Sequence, residues 1–221
     1  LPRGFLVAAW SLAVLLTARC GQPTGPQEHL VSPVVLTIGI GQLATASEIA
    51  GLQQLKQILS REGLINFSED GRARPALAQS WRVAPDRLSL TIRLRSNAKF
   101  HDGSPVDAAT VVTILRSTLP AWMGPAFDDI DGIIATSDNE IRIALRRPSP
   151  LLVEALESQI RKPDGSGTGP FKSPDPDKSE LVANDSYYLG RPAIDKIVVE
   201  RYPSIRAAWA EMLRNRIDML Y

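Results

Sequence analysis

Few residues in this 221-residue chain are of the types that bind metals or act as nucleophiles in enzymes. The chain has one cysteine, Cys20, and two histidines, His29 and His101. A zinc site usually needs several His, Cys or carboxylate ligands at short spacings, and His101 has no second His or Cys near it. We find no Ser/His/Asp grouping, no Cys/His pair and no convincing paired carboxylates. The sequence therefore predicts no enzyme, no metal site and no cofactor, and His101 is expected to be a surface or hydrogen-bonding residue.

A glycine-rich segment, Gly167-Thr168-Gly169-Pro170, is the other candidate for chemistry, because glycine-rich loops can bind phosphate groups. A phosphate loop continues into Gly-Lys-Ser/Thr and opens a helix, and neither feature follows here. We interpret the segment as a turn at which the chain crosses from one part of the fold to another.

Composition excludes some classes of protein. The formal net charge is +1, and no basic stripe is interleaved with aromatic residues, which argues against a nucleic-acid-binding protein. A chain of this length with 44% hydrophobic residues can bury a sizeable core in one or two domains. A single cysteine allows no internal disulfide.

The clearest local pattern runs from Leu88 to Arg95, where apolar and polar side chains alternate as in a half-buried strand. A tight turn is predicted at Asp102-Gly103, because glycine accepts a positive φ. A helix is predicted from Ala108 to Leu119, with Asp107 capping its first turn.

The remaining patterns predict a mixed α/β chain. Strands are expected at 34–40, 64–67, 130–136, 140–145, 181–183 and 194–202, and helices at 47–59, 151–156 and 205–214. Asn215 is placed to end the last helix in the left-handed conformation.

Several motifs in this order closely resemble the family 5 extracellular solute-binding proteins, which are the oligopeptide, dipeptide and nickel receptors of bacterial ABC importers. The resemblance covers nearly everything after about residue 34. The motifs are Ala76-Leu77-Ala78-Gln79-Ser80-Trp81, Ile92-Arg93-Leu94-Arg95, Phe100-His101-Asp102-Gly103-Ser104-Pro105-Val106, Gly167-Thr168-Gly169-Pro170-Phe171, Asn184-Asp185-Ser186-Tyr187-Tyr188, Ile194-Asp195-Lys196-Ile197 and Arg216-Ile217-Asp218.

The resemblance implies an α/β fold, namely a mixed-sheet, periplasmic-binding-protein-like (type II) lobe with an inserted α+β subdomain. The first part of the main lobe would occupy residues 34–60, the inserted subdomain 61–158, and the return segment of the main lobe 159–221. Family members have a second lobe, which is missing here, so the chain is expected to be an N-terminal fragment, a truncated gene product or one half of a split receptor.

The N-terminal residues have the pattern of an export signal. Arg3 precedes an apolar run over residues 5–18, which is short for a membrane span. Residues 1–20 are therefore predicted to be a signal peptide and 21–33 a flexible tether. Cys20 is a candidate for lipidation, which would anchor the protein to the membrane surface; an ordinary cleaved signal and an uncleaved anchor are the alternatives.

The resemblance places two candidate ligand contacts at the cleft between the lobes. One is the loop Gly41-Gln42-Leu43-Ala44-Thr45 after the first strand, whose glycine is expected to expose backbone groups to a peptide main chain. The other is Tyr221, which should point toward the missing lobe.

Three functions remain open at this point. The first is a periplasmic or cell-surface receptor that captures peptides and delivers them to ABC permease subunits. The second is a receptor for another small solute, such as a nickel chelate, a sugar or an opine. The third is a remnant that binds no solute and pairs with another chain through apolar surface left uncovered by the missing lobe.

Overall fold

The computed structural model describes residues 32–42, 48–175 and 178–221. The predicted signal peptide at 1–20, Cys20 with its predicted lipidation, His29 and the tether up to residue 31 lie outside this part of the chain. Among the described residues, no helix has the length and apolar character that a membrane crossing would need.

The chain is a mixture of strands and helices, as the sequence predicts. The strands are β1 (Val35–Gly41), β2 (Ile65–Phe67), β3 (Ala73–Pro75), β4 (Ala78–Val83), β5 (Ser89–Leu94), β6 (Ile130–Ser137), β7 (Glu140–Leu145), β8 (Phe171–Lys172), β9 (Glu180–Ala183), β10 (Lys196–Tyr202) and β11 (Met219–Leu220). The helices are α1 (Glu48–Ser60), α2 (Ala108–Met123), α3 (Leu151–Ala155) and α4 (Ile205–Leu213).

The first sheet, which we call the main sheet, has the strand order β11-β1-β10-β9-β8. β1 is parallel to both of its neighbours, whereas β9 is antiparallel to β10 and to β8. Ile38 and Ile40 of β1 belong to the same buried cluster as Leu52 and Leu55 of α1, so this face of β1 packs on α1.

The glycines of β1 alternate with these isoleucines and face the opposite side. A Cβ atom on Gly41 would lie 2.4 Å from the Cα of Ile205, and one on Gly39 would lie 2.3 Å from Cδ1 of Ile217. Because no such contact is sterically possible, the glycines allow α4 and the segment after it to approach β1 closely. This packing is a second reason for glycine at position 41, beside the backbone exposure predicted from the sequence.

The second sheet is antiparallel, with the order β4-β5-β7-β6, and α2 packs on it. Its hydrophobic cluster extends in sequence from Leu64 to Ile160. Leu90, Ile92 and Leu94 are fully buried, as the alternation predicts, whereas Leu88 precedes β5 and is 37% exposed. The Asp107 carboxylate accepts a hydrogen bond from the Thr110 amide at 2.8 Å, which confirms the predicted cap of α2.

The chain passes between the two sheets twice, and the two passages are hydrogen-bonded to each other. The Ile160 amide donates to the Glu62 carbonyl at 2.8 Å, and the Gly169 amide donates to the Ser60 carbonyl at 3.0 Å. A Cβ atom on Gly63 would lie 2.7 Å from the Glu157 carbonyl oxygen, so these passages also approach each other without room for a side chain. We call residues 60–63 together with 156–170 the crossing segments.

The turn at residues 100–104 is docked on the returning crossing segment. The His101 amide donates to the Gly167 carbonyl at 2.9 Å, and a hydrogen bond of 3.0 Å links His101 Nε2 to the Gly169 carbonyl. The Asp102 carboxylate accepts hydrogen bonds from Lys162 Nζ at 2.7 Å and from the Ser104 amide at 2.9 Å. Gly103 has φ 87°, as the predicted turn requires. The most recognisable motif in the sequence therefore holds the second sheet against the crossing segments.

Candidate functional site

The carboxyl ends of β1 and β11 lie side by side. Gly39 is in register with Leu220, and the Tyr221 amide donates to the Gly39 carbonyl at 3.0 Å. β1 has β10 on one side and β11 on the other. The chain reaches β10 through α1 and the second sheet and then reaches β11 through α4, so the strand order reverses at β1. In open α/β sheets, ligands bind outside the carboxyl ends of the strands at such a reversal.

This edge holds the described members of both predicted contacts. Gly41 ends β1 and is half-buried, and Gln42 is exposed while its amide donates to the Tyr202 carbonyl at 3.0 Å. Leu43, Ala44 and Thr45 lie outside the described residues. Tyr221 is 44% exposed. The structure thus brings Gly41, Gln42 and Tyr221, which are far apart in sequence, to the same end of the main sheet, and we call this end the carboxyl edge.

Apolar side chains are exposed beside this edge. Ile205, Trp209 and Leu213 recur every fourth residue on one face of α4 and are 48%, 50% and 68% exposed. β11 has β1 as its only strand neighbour within the described residues, so its outer edge carries unpaired backbone groups there. Exposed apolar surface of this kind is what the third sequence-based hypothesis requires.

A polar cluster that sequence reasoning missed lies at the crossing segments. Glu62 Oε1 accepts hydrogen bonds from the hydroxyls of Tyr187 at 2.6 Å and Tyr188 at 3.1 Å. Burial raises the pKa of Glu62, and the tyrosine hydrogen bonds oppose that rise. Burial and the nearby carboxylate raise the pKa of both tyrosines. The two tyrosines therefore anchor their loop to Glu62, 125 residues away in sequence, and no local signal marks that pairing.

Metal-ligand chemistry is sparse in the part of the chain that the structure describes. No three His, Cys, Asp or Glu side chains come close enough together there to hold a metal ion. His101 is half-buried, and burial lowers its pKa, so the ring is a neutral hydrogen-bonding group at neutral pH.

Comparison with known proteins identifies the family. The model of "Bacterial extracellular solute-binding proteins, family 5 Middle" matches residues 72–221. The nickel-binding periplasmic protein of Escherichia coli is 26% identical over an alignment of 194 positions that covers 76% of this chain and 37% of that protein. A putative ABC transporter peptide-binding protein of Brucella ovis is 27% identical over an alignment of 172 positions that covers 66% of this chain and 32% of that protein. The chain thus spans about a third of the length of these curated relatives.

The fold is also that of solved binding proteins. The structure of NikA from Staphylococcus aureus, determined with a nickel–histidine complex, superposes with a TM-score of 0.69 at 24% identity, covering 85% of this chain and 43% of that one. This likeness confirms the predicted α/β, type II binding-protein fold, of which the chain contains only part. The family consists of binding proteins, in agreement with the prediction that the chain is not an enzyme. The chain belongs to the bacterial extracellular solute-binding proteins of family 5.

Proposed function

We propose that this chain is part of the solute-binding receptor of an ABC importer, which captures a peptide outside the cytoplasmic membrane and delivers it to permease subunits. The observation that carries the proposal is the meeting of Gly41, Gln42 and Tyr221 at the carboxyl edge of the main sheet in a member of family 5. The receptor would be periplasmic or on the cell surface, and lipidation of Cys20 would tie it to the membrane.

A peptide suits the chemistry of this edge. The outer edge of β11 carries unpaired backbone groups within the described residues, which can pair with an extended main chain, and the exposed Tyr221 ring offers apolar area with a polar tip. Backbone pairing tolerates varied side chains, because specificity then rests on the surrounding pockets. A nickel chelate is the alternative solute, supported by the names of the Escherichia coli and Staphylococcus aureus relatives.

Affinity selection from a tetrapeptide library with the 221-residue chain tests the proposal. We expect peptides to be retained, and Tyr221→Ala to weaken their binding by about tenfold, as loss of a buried aromatic contact would. Trp122→Ala is the matched control, because Trp122 is a similarly exposed aromatic on α2, in the second sheet's part of the fold. Retention of a nickel–histidine complex in place of peptides would favour the second solute class.

The exposed stripe of α4 supports a different function, pairing with a second copy of the chain or another protein. Under this reading the 221-residue chain dimerises through Ile205, Trp209 and Leu213, and Trp209→Glu restores the monomer in sedimentation equilibrium. A monomeric wild-type chain that retains peptides would exclude pairing between copies of the chain. A dimer that Trp209→Glu dissociates, with no solute retained, would replace the receptor proposal.

A further inference from the structure

A polar cleft of about 440 Å³ lies at the crossing segments, and neither the family comparison nor the carboxyl edge accounts for it. It is bounded by the second half of α1, the turn at 101–102, the loop at 164–166 and the end of β8. None of its lining residues belongs to the carboxyl edge, so the cleft uses different residues from the proposed solute site.

Two cations in this cleft have no carboxylate partner among the described residues. Arg61 is half-buried; its Nη1 reaches only Gln159 Oε1, at 3.4 Å, and its Nε is buried with no hydrogen-bond partner in the described part of the chain. Lys172 at the end of β8 is also half-buried and forms no ion pair there. Lys56, which is 6% exposed, adds a third positive charge and donates to the Lys178 carbonyl.

The two carboxylates at the rim of the cleft already have partners. Asp102 pairs with Lys162 at 2.7 Å, and Asp164 accepts the Ser166 amide at 2.8 Å. Arg161 brings a further positive charge close to Arg61, and together with burial it lowers the pKa of that guanidinium. The Ser166 amide does not neutralise Asp164, but the cleft is lined by three cations, Lys56, Arg61 and Lys172, and by only these two carboxylates, so the balance of charge is positive.

Partly desolvated cations without a counter-charge are unfavourable, and an anion that accepts their hydrogen bonds would remove the penalty. The carboxyl-terminal end of α1 carries a partial negative charge, which attracts cations, but no group there accepts a hydrogen bond from Arg61 Nε. Neutral donors complete the lining, since the amide side chains of Gln53 and Gln57 also border the cleft.

We propose that this cleft binds a small oxyanion of the phosphate or polycarboxylate class, with Arg61 and Lys172 as the residues that pair with it. Arg61 and Lys172 line the same cleft from the end of α1 and from β8, and a guanidinium with an ammonium group suits an anion with several oxygens, which can accept from both at once. The site is independent of the proposed solute function, because it uses none of the residues of the carboxyl edge.

Isothermal titration of the 221-residue chain with inorganic phosphate and with citrate, each at constant ionic strength against chloride, tests this site. We expect saturable binding of at least one of the two, which also tells the phosphate and polycarboxylate sources apart. Arg61→Gln and Lys172→Gln should each weaken it by about tenfold, the loss expected for one charge-assisted hydrogen bond. The control is Arg74→Gln, which removes an exposed charge on β3 and should leave binding unchanged.

No saturable binding of either anion would overturn the proposal, as would equal weakening by all three variants, which indicates only general charge attraction. Thermal melts show whether each variant is folded. If Arg61→Gln fails to fold, the result for Lys172→Gln alone decides. Lys172 lies on the two-residue strand β8, outside the crossing segments, so its replacement should not disturb their packing.

Discussion

Replacing Gly169 with alanine should destabilise the chain by about 3 kcal/mol, because overpacking and lost hydrogen bonds add at this position. A Cβ atom there would lie 2.6 Å from the Ser60 carbonyl carbon, 2.7 Å from the Leu59 carbonyl oxygen and 2.9 Å from the Arg61 amide nitrogen. All three are backbone atoms at the end of α1, so no side-chain rotation can relieve the contact. Urea unfolding of the 221-residue chain measures the loss directly.

Moving the backbone away would not be cheap either. The Gly169 amide donates to the Ser60 carbonyl. The Gly169 carbonyl accepts a hydrogen bond from Asn184 Nδ2 at 3.1 Å and forms a second one with His101 Nε2 at 3.0 Å. Any shift large enough to admit a methyl group strains these bonds between the two sheets. The matched control is Gly132→Ala in β6, where a Cβ atom would have no neighbour within 4 Å. Equal unfolding midpoints for the two variants would show that the crossing segments are looser than the structure indicates.

The elements could be predicted because their signals are local. The alternation from Leu88 to Arg95, the Asp107 cap and the left-handed Asn215, with φ 57°, each depend on a few neighbouring residues. β8 was missed because two residues carry no period, and the 3-10 helix Gly124–Asp129 was missed because it follows α2 without a polar break. No strand was predicted over 74–83, where the chain forms the end of β3 and all of β4.

Contacts between distant segments could not be predicted in this way. Gly41 is a glycine because Ile205, 164 residues later, packs on it, and Gly169 is a glycine because α1 ends against it. The candidate site shows the same division. Family resemblance selected Gly41, Gln42 and Tyr221, but only the pairing of β11 with β1 shows that they share one edge. The oxyanion cleft had no sequence signal, since its cations come from α1, the crossing segments and β8.

The second large effect is expected at Glu62, where the type of substitution should decide the result. Glu62→Leu removes the acceptor of two tyrosine hydroxyls, and each unsatisfied hydroxyl costs about 1–3 kcal/mol, so we expect a loss of about 3 kcal/mol. Glu62→Gln keeps an acceptor oxygen of the same reach and should cost less than about 1 kcal/mol at neutral pH. Glu69→Leu, at an exposed position, is the control and should change stability by about 0.5 kcal/mol or less.

The pH dependence of the same variants identifies the cause. Because burial raises the pKa of Glu62 above its ordinary 4.5, the folded chain binds this proton more tightly than the unfolded chain. The contribution of Glu62 to stability is then greatest below pH 4.5 and is lost as the pH rises through the raised value. Wild type should therefore lose stability relative to Glu62→Gln between acidic and neutral pH, measured by urea unfolding at both. The stability difference between wild type and Glu62→Gln could instead stay constant with pH, or favour wild type more at neutral pH. Either result would mean that the tyrosine hydrogen bonds stabilise the charged carboxylate and that burial is the weaker effect.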